Sequence, residues 1–232
     1  MPDIVTVVHD LQVSNCPVIF LDTCILLDII RSVKRRLKSW STTAVVLHQG
    51  ITTPPLRYRL VVSHLVQHEW LSNEKGLLKE ALNHFTELQE QSNCIHDTCK
   101  ALGIIPGFTA ATYSSLGIVE QLHALSGRLL DAGMLIEQDT ECTMRAMHRV
   151  IHNIPPSKKG GEAKDCTILE EYLAVARLLR AGGFDKKLVF CTSNTNDYCD
   201  AKKLAESLAI EFAALQLDFT TNLPHAFYEL TN

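Results

Sequence analysis

The chain contains two short apolar runs that each end in a polar residue, at opposite ends of the sequence. Val18-Ile19-Phe20-Leu21 precedes Asp22, and Leu188-Val189-Phe190-Cys191 precedes Thr192. Short apolar runs bounded by turn residues are typical of strands that are buried on both faces, as in a parallel sheet. A third run, Arg59-Leu60-Val61-Val62-Ser63, leads directly into a long helical pattern. These runs predict an α/β fold built on a parallel sheet.

Helical periodicity dominates the rest of the chain. We predict a helix over 23–38 and another that begins at His64 with Ser63 as its N-cap. A long helical insertion is expected over about 76–155. The tail is predicted as a helix over 162–180, a strand over 188–191, a helix over 201–209 and a short strand near 210–214. At 232 residues, the chain is long enough for one domain over 1–232 that carries this insertion.

Four acidic residues lie at the ends of these predicted elements: Asp22, Glu69, Asp165 and Asp197. Open α/β sheets bind their ligands outside the carboxyl ends of the strands, where such residues would converge. Clustered carboxylates repel one another unless a cation binds between them, and oxygen ligands suit magnesium or manganese. The pattern therefore predicts a divalent-metal site for phosphodiester chemistry.

Structural roles for individual acidic residues remain open from the sequence alone. Asp22 could cap the following helix, Asp165 could stabilise a helix start, and Asp197 could hold a turn. Glu162 is either a fifth ligand or a carboxylate at the start of a helix. Asp28, six positions after Asp22, is expected to support the site or to be exposed.

A group of cations lies at the far end of the helix predicted over 23–38, comprising Arg31, Lys34, Arg35, Arg36 and Lys38. Positive charge there either complements the helix dipole or contacts phosphate, and the sequence leaves both interpretations open.

Composition limits the classes of function. The net charge of −4 argues against a protein that binds nucleic acid over its whole surface, although a local basic face could still serve. The chain has no apolar run of about 18 residues and no basic start typical of a signal peptide, so we expect a cytoplasmic protein without a membrane segment. The eight cysteines form no C-x-x-C pair, which favours reduced, structural thiols.

Two motifs resemble a known family, the PIN-domain nucleases, and most closely their branch of PIN-like domains of unknown function. The opening motif is Phe20-Leu21-Asp22-Thr23-Cys24-Ile25-Leu26-Leu27-Asp28. The closing motif is Phe190-Cys191-Thr192-Ser193-Asn194-Thr195-Asn196-Asp197-Tyr198. Between them, Glu69 follows the second strand and Asp165 opens a helix, in the order that the family shows.

The resemblance implies a three-layer α/β/α sandwich and a Mg²⁺- or Mn²⁺-dependent endoribonuclease. Carried over by position, Asp22, Glu69, Asp165 and Asp197 are the catalytic, metal-binding carboxylates. Thr192 matches the family's small polar residue after the last strand, and Asn194 lies near it. The family often has Asn or Ser where this chain has Cys24, a departure that leaves this position without an expected polar role.

Partners follow from the resemblance as well. RNA is the implied substrate, and Lys158, Lys159 and Lys164 are candidates for phosphate contact, with a solvated surface role as the alternative. Many relatives are toxins controlled by an antitoxin protein, and the helical insertion could cover the site, shape substrate choice or form a homodimer.

Two other functions compete with the nuclease. A haloacid-dehalogenase-like phosphatase also begins with a strand that ends in Asp, but its chemistry needs a second Asp two positions later, where this chain has Cys24. A PIN-like fold without catalysis could instead serve as a binding or scaffold module.

Overall fold

The computed structural model describes residues 2–104, 112–157 and 163–232. Three residues named above as site candidates, Lys158, Lys159 and Glu162, lie outside these ranges. No helix in the described part of the chain is both long and apolar enough to cross a membrane.

Parallel strands form the centre of the molecule, as the apolar runs predicted. The described strands are β1 Val18–Leu21, β2 Arg59–Ser63, β3 Met134–Ile136, β4 Leu188–Cys191, β5 Cys199–Asp200, β6 Lys203–Leu204 and β7 Leu217–Thr220. Within the described residues, five of them pair in parallel in the order β3-β2-β1-β4-β7, while β5 and β6 form a separate antiparallel pair. Every residue of β1 and β4 is buried, which explains why their sequences are continuously apolar.

Helices cover both faces of this sheet. The described helices are α1 Ile4–Ser14, α2 Thr23–Ile30, α3 Trp40–Thr52, α4 His64–Ala101, α5 Ile118–Ala132, α6 Thr140–His152, α7 Ala163–Ala181, α8 Thr195–Tyr198, α9 Glu206–Ala214 and α10 Leu223–Thr231, with a 3-10 turn at Tyr113–Leu116. Helices α1 and α6 pack against α7, which also contacts β2. Helix α5 packs against α2 and α3, and α10 packs against α3 and against strands β4 and β7. The fold is the predicted α/β/α sandwich with a central parallel sheet.

Tyr172 of α7 joins the carboxyl ends of the two strands that lead into the predicted site. Its hydroxyl donates to the carbonyl oxygen of Leu21 at 2.8 Å and accepts from the backbone N–H of Ser63 at 3.1 Å. The ring is fully buried and lies 5.1 Å from the ring of Phe20. This pair of hydrogen bonds fixes the two strand ends relative to each other, and Asp22 and helix α4 follow directly from them.

The helix predicted over 23–38 is shorter than expected. Helix α2 ends at Ile30, and the chain continues through turns before α3 starts at Trp40. The apolar periodicity that extended the predicted helix through Val33 was misleading, because this side chain is exposed. Trp40, the first residue of α3, is buried instead. Arg31 is the C-cap of α2 and Arg35 lies in the following turn, and both interact with Asp28 in the last turn of this helix.

One strand was not predicted and one prediction was wrong. Within the region 76–155, which is otherwise mainly helical where the structure describes it, Met134–Ile136 forms β3 and pairs with β2. The tail elements lie further along the chain than predicted: positive φ angles at Ala201 and Lys202 turn the backbone there, so the helix begins at Glu206 and the strand at Leu217. A strand of three residues carries too little periodicity to be recognised within a helical stretch.

Candidate functional site

Asp22 is the first residue beyond β1 and the N-cap of α2. Its Oδ1 accepts from the backbone N–H of Thr23 at 2.6 Å, and its Oδ2 accepts from the hydroxyl of Thr192 at 2.6 Å. The thiol of Cys24 lies 3.2 Å from the same Oδ2. The capping role considered from the sequence is therefore present, together with two side-chain contacts that a simple cap does not need.

The side chain of Asp22 is almost completely buried, with 3% exposed. Burial raises the pKa of its carboxyl group above the ordinary value, and the charge of Glu69 acts in the same direction. Hydrogen bonds from Thr192, Cys24 and the Thr23 backbone oppose this shift in the pKa. The donors described for this carboxylate are neutral, so a bound cation would favour its charged form.

Glu69 lies on the second turn of α4 and faces the same region. Its Oε2 accepts from the hydroxyl of Thr23 at 2.8 Å, and the backbone N–H of Thr23 donates to Asp22, so this one residue contacts both acidic groups. Its Oε1 is 3.7 Å from the ammonium group of Lys164 on the first turn of α7. The expected proximity of Lys164 to the site is thus observed, although its described partner is a carboxylate.

Asp165 and Asp197 are connected through an amide. The Nδ2 of Asn194 lies 2.6 Å from Oδ2 of Asp197 and 3.4 Å from Oδ2 of Asp165. The backbone N–H of Asn194 also donates to the hydroxyl of Thr192 at 3.1 Å. Both small polar residues predicted near the site, Thr192 and Asn194, therefore contact its acidic residues.

A cleft of about 510 Å³ unites three of the four predicted carboxylates. Asp22, Glu69 and Asp165 line it, together with Asn194. Asp197, the fourth, contacts the cleft through the Asn194 amide and is not one of its described lining residues.

The carboxylate oxygens of this cleft suit a hard divalent cation, but the described side chains do not converge on one point. In the part of the chain that the structure describes, no three carboxylate, imidazole or thiol groups are placed as a finished metal site. The three carboxylates nevertheless offer the oxygen donors that magnesium and manganese prefer, and magnesium usually keeps several waters. Burial raises the pKa of Asp22, so a bound cation would stabilise the charged form of this carboxylate.

Several contacts of the site were not predicted from the sequence. The hydroxyl of Thr23 holds Glu69, and the only local hint is its place directly after a strand-ending Asp. The expectation that position 24 has no polar role was wrong, because the sulfur of Cys24 also accepts from the backbone N–H of Ser193 at 3.0 Å. A thiol can donate and accept weak hydrogen bonds, which explains how it replaces an amide or hydroxyl.

Comparisons with known proteins place these motifs in a family. A family model described as PIN domain matches residues 19–198, which includes both motifs and all four acidic residues. No curated protein and no solved structure matches the chain.

Proposed function

The chain belongs to the PIN-domain family, and from this premise we propose that it is a divalent-metal-dependent endoribonuclease. PIN domains are typically nucleases that act on RNA and generally use divalent metals. The observation that carries the proposal is the cleft in which Asp22, Glu69 and Asp165 meet, since these residues come from three separate parts of the chain.

In this proposal, Asp22, Glu69 and Asp165 hold Mg²⁺ or Mn²⁺, and Asp197 completes the acidic set through Asn194. A divalent ion bound by such groups polarises the scissile phosphate and lowers the pKa of a coordinated water. Thr192 and Thr23 fix the orientation of the Asp22 and Glu69 carboxylates by hydrogen bonding, as groups behind metal ligands commonly do. Lys164 lies where it can neutralise Glu69 before the cation binds.

A PIN domain that binds without cleaving is the second candidate. It is favoured by one observation, namely that the described carboxylates do not form a finished metal site. The cytoplasmic location, the antitoxin and the homodimer stay predictions.

The test is cleavage of a single-stranded RNA in Mg²⁺ or Mn²⁺, with DNA of the same sequence in parallel. We expect products with RNA, loss of cleavage in a chelator, and a rate that falls by more than about 100-fold in Asp22→Asn, since even groups behind metal ligands are typically worth 10- to 100-fold. Asp185→Asn, an exposed aspartate paired with Lys186, is the matched control and should retain the wild-type rate.

Equal cleavage by Asp22→Asn and Asp185→Asn would show that the activity does not come from this cleft. RNA binding without cleavage in either metal would favour the silent binding module. Cleavage of DNA at the same rate would remove the restriction to RNA while leaving the metal site in place.

A further inference from the structure

The cleft has a second wall that is built around a buried aspartate. Asp28, near the end of α2, is only 1% exposed. Its Oδ1 accepts from Nε of Arg31 at 2.7 Å, and its two oxygens lie 2.8 and 2.9 Å from one terminal nitrogen of Arg35. The hydroxyl of Ser193 donates to Oδ2 at 2.8 Å. Asp28 thereby holds two guanidinium groups in fixed positions.

Both guanidinium groups belong to residues that line the acidic cleft. Arg31 and Arg35 share it with Asp22, Glu69 and Asp165. Two positive charges around one carboxylate leave an excess of one positive charge at this wall. A guanidinium has five N–H donors, and Asp28 engages one nitrogen of each arginine, so further donors are left for a ligand or water.

The lining of the cleft therefore combines three carboxylates with two guanidinium groups. A phosphate would be repelled by the carboxylates unless a cation intervened, but it would be attracted to the arginines. Planar guanidinium groups match the geometry of phosphate oxygens and can bind them through paired hydrogen bonds.

We propose that Arg31 and Arg35 form a phosphate subsite that binds a backbone phosphate next to the scissile one. The inference rests on the proposed nuclease function and deepens it, because it defines the substrate as an oligonucleotide with at least two phosphodiester groups. Asp28 and Ser193 are positioning residues in this subsite, since they hold the arginines and the adjoining loop.

Lys34 provides a matched control on the same turn. Its side chain is 44% exposed, against 46% for that of Arg35, so solvent screens both charges to a similar extent. Its ammonium group lies 2.9 Å from Glu80, and it is not one of the described residues that line the cleft. Lys34→Gln and Arg35→Gln thus remove the same charge from two sides of one turn.

The first measurement is binding of a fluorescent single-stranded RNA oligonucleotide by anisotropy, in a chelator and over a range of salt concentrations. Arg35→Gln should weaken binding about tenfold, as expected for the loss of one hydrogen bond to a charged group. The slope of log K against log salt should become shallower by about 0.7, the value for one phosphate contact in a single strand. Lys34→Gln should show a clearly smaller change in both quantities.

The second measurement is cleavage of two substrates. For the oligonucleotide, Arg35→Gln should raise KM about tenfold while leaving kcat within about twofold, because the lost contact is to a neighbouring phosphate that does not react. For a dinucleotide with a single phosphodiester group, wild type and Arg35→Gln should be equal. A merely structural role of Arg35 would instead lower kcat for both substrates.

Arg35→Gln leaves the buried Asp28 with one partner fewer, so a double variant tests whether weaker binding reflects the lost contact or a loss of folded structure. Asp28→Asn/Arg35→Gln removes the buried charge together with one partner and, because Asp28 also holds Arg31, should bind RNA no more tightly than Arg35→Gln does. Equal affinity and salt slope for Arg35→Gln and Lys34→Gln would overturn the subsite, even if metal-dependent cleavage were normal. Arginine-specific loss of RNA binding without cleavage in either metal would retain the subsite and reject the nuclease.

Discussion

Two aspartates at opposite ends of helix α2 are almost equally buried, with 3% of Asp22 and 1% of Asp28 exposed, yet their surroundings differ in charge. Asp28 lies within hydrogen-bonding distance of two guanidinium groups. The donors described around Asp22 are a backbone N–H, a hydroxyl and a thiol, all of them neutral. The negative charge of Glu69 repels that of Asp22 and raises the pKa of its carboxyl group.

The difference teaches how far the protein itself compensates each buried charge. A buried carboxylate is tolerated when cations and hydrogen bonds compensate its desolvation, and Asp28 meets this condition within the protein. Asp22 does so only in part, because its described donors are neutral and burial raises the pKa of its carboxyl group.

The largest expected effect comes from exchanging the two aspartates for asparagine in turn. Asp28→Asn should lower the free energy of unfolding by about 3 kcal/mol, the low end for a broken buried ion pair, because both arginines can still reach water. Asp22→Asn should stay within about 1 kcal/mol of wild type at pH 7, since the change removes a desolvated charge along with its hydrogen bonds. Urea denaturation of both variants at pH 7 measures the contrast.

Equal losses in the two variants would mean that the contrast in charge environment has no energetic consequence. The m-value should be the same in all three proteins, so that a change in midpoint reports stability and not a change in the denatured state.

The sequence predicted the carboxylates of the cleft but not the arrangement of its two arginines around Asp28. Asp22 was predictable because β1 is a continuous apolar run and the next residue must leave the sheet edge. Asp165 was predictable because it opens a helix that has a clear apolar face. In both cases the relevant information is local to the element that carries the residue.

The remaining features depend on turn geometry. Helix α2 ends at Ile30, and Arg31 and Arg35 reach back to Asp28 from three and seven positions further on, although helical periodicity continued past this point. The position of Asp197 behind Asn194 depends on the short helix α8, where turn geometry decides which side chain faces the cleft. Period and spacing do not encode either arrangement.

Glu171 is a third buried carboxylate, and no cation lies within hydrogen-bonding distance of it among the described residues. Glu171 is fully buried on α7, and Nδ1 of His64 lies 3.7 Å from its Oε1. Burial lowers the pKa of this histidine, so it offers little positive charge at neutral pH. Burial raises the pKa of Glu171 to about 7, and the charge of Asp139 acts in the same direction, while hydrogen bonding from the Ser63 side chain and the Asp139 backbone opposes this shift.

Because its folded pKa of about 7 lies above the ordinary value of 4.5, Glu171 binds more protons in the folded than in the unfolded state between these two values. The free energy of unfolding should therefore fall as the pH rises from about 4.5 through 7. Glu171→Gln should remove this dependence and be more stable than wild type by about 3 kcal/mol at pH 8, with little difference near pH 4.5.

Urea denaturation at pH 5 and pH 8 measures this effect, and Glu90→Gln, on an exposed position of α4, is the matched control. A constant difference between Glu171→Gln and wild type across this range would show that the carboxyl group does not titrate with a raised pKa. Equal pH dependence in the two glutamine variants would lead to the same conclusion.

The smallest expected effect concerns the thiol that contacts Asp22. Sγ of Cys24 lies 3.2 Å from Oδ2 of Asp22 and accepts from the backbone N–H of Ser193, so it links the ends of β1 and β4. Cys24→Ala should lower the free energy of unfolding by about 1 kcal/mol, the usual value for a lost hydrogen bond, and Cys24→Ser should lose less because its hydroxyl can make the same contacts. Denaturation at pH 7 ranks the three proteins. Equal losses in the alanine and serine variants would mean that the sulfur acts here by packing alone, and an alanine variant as stable as wild type would mean that it contributes nothing.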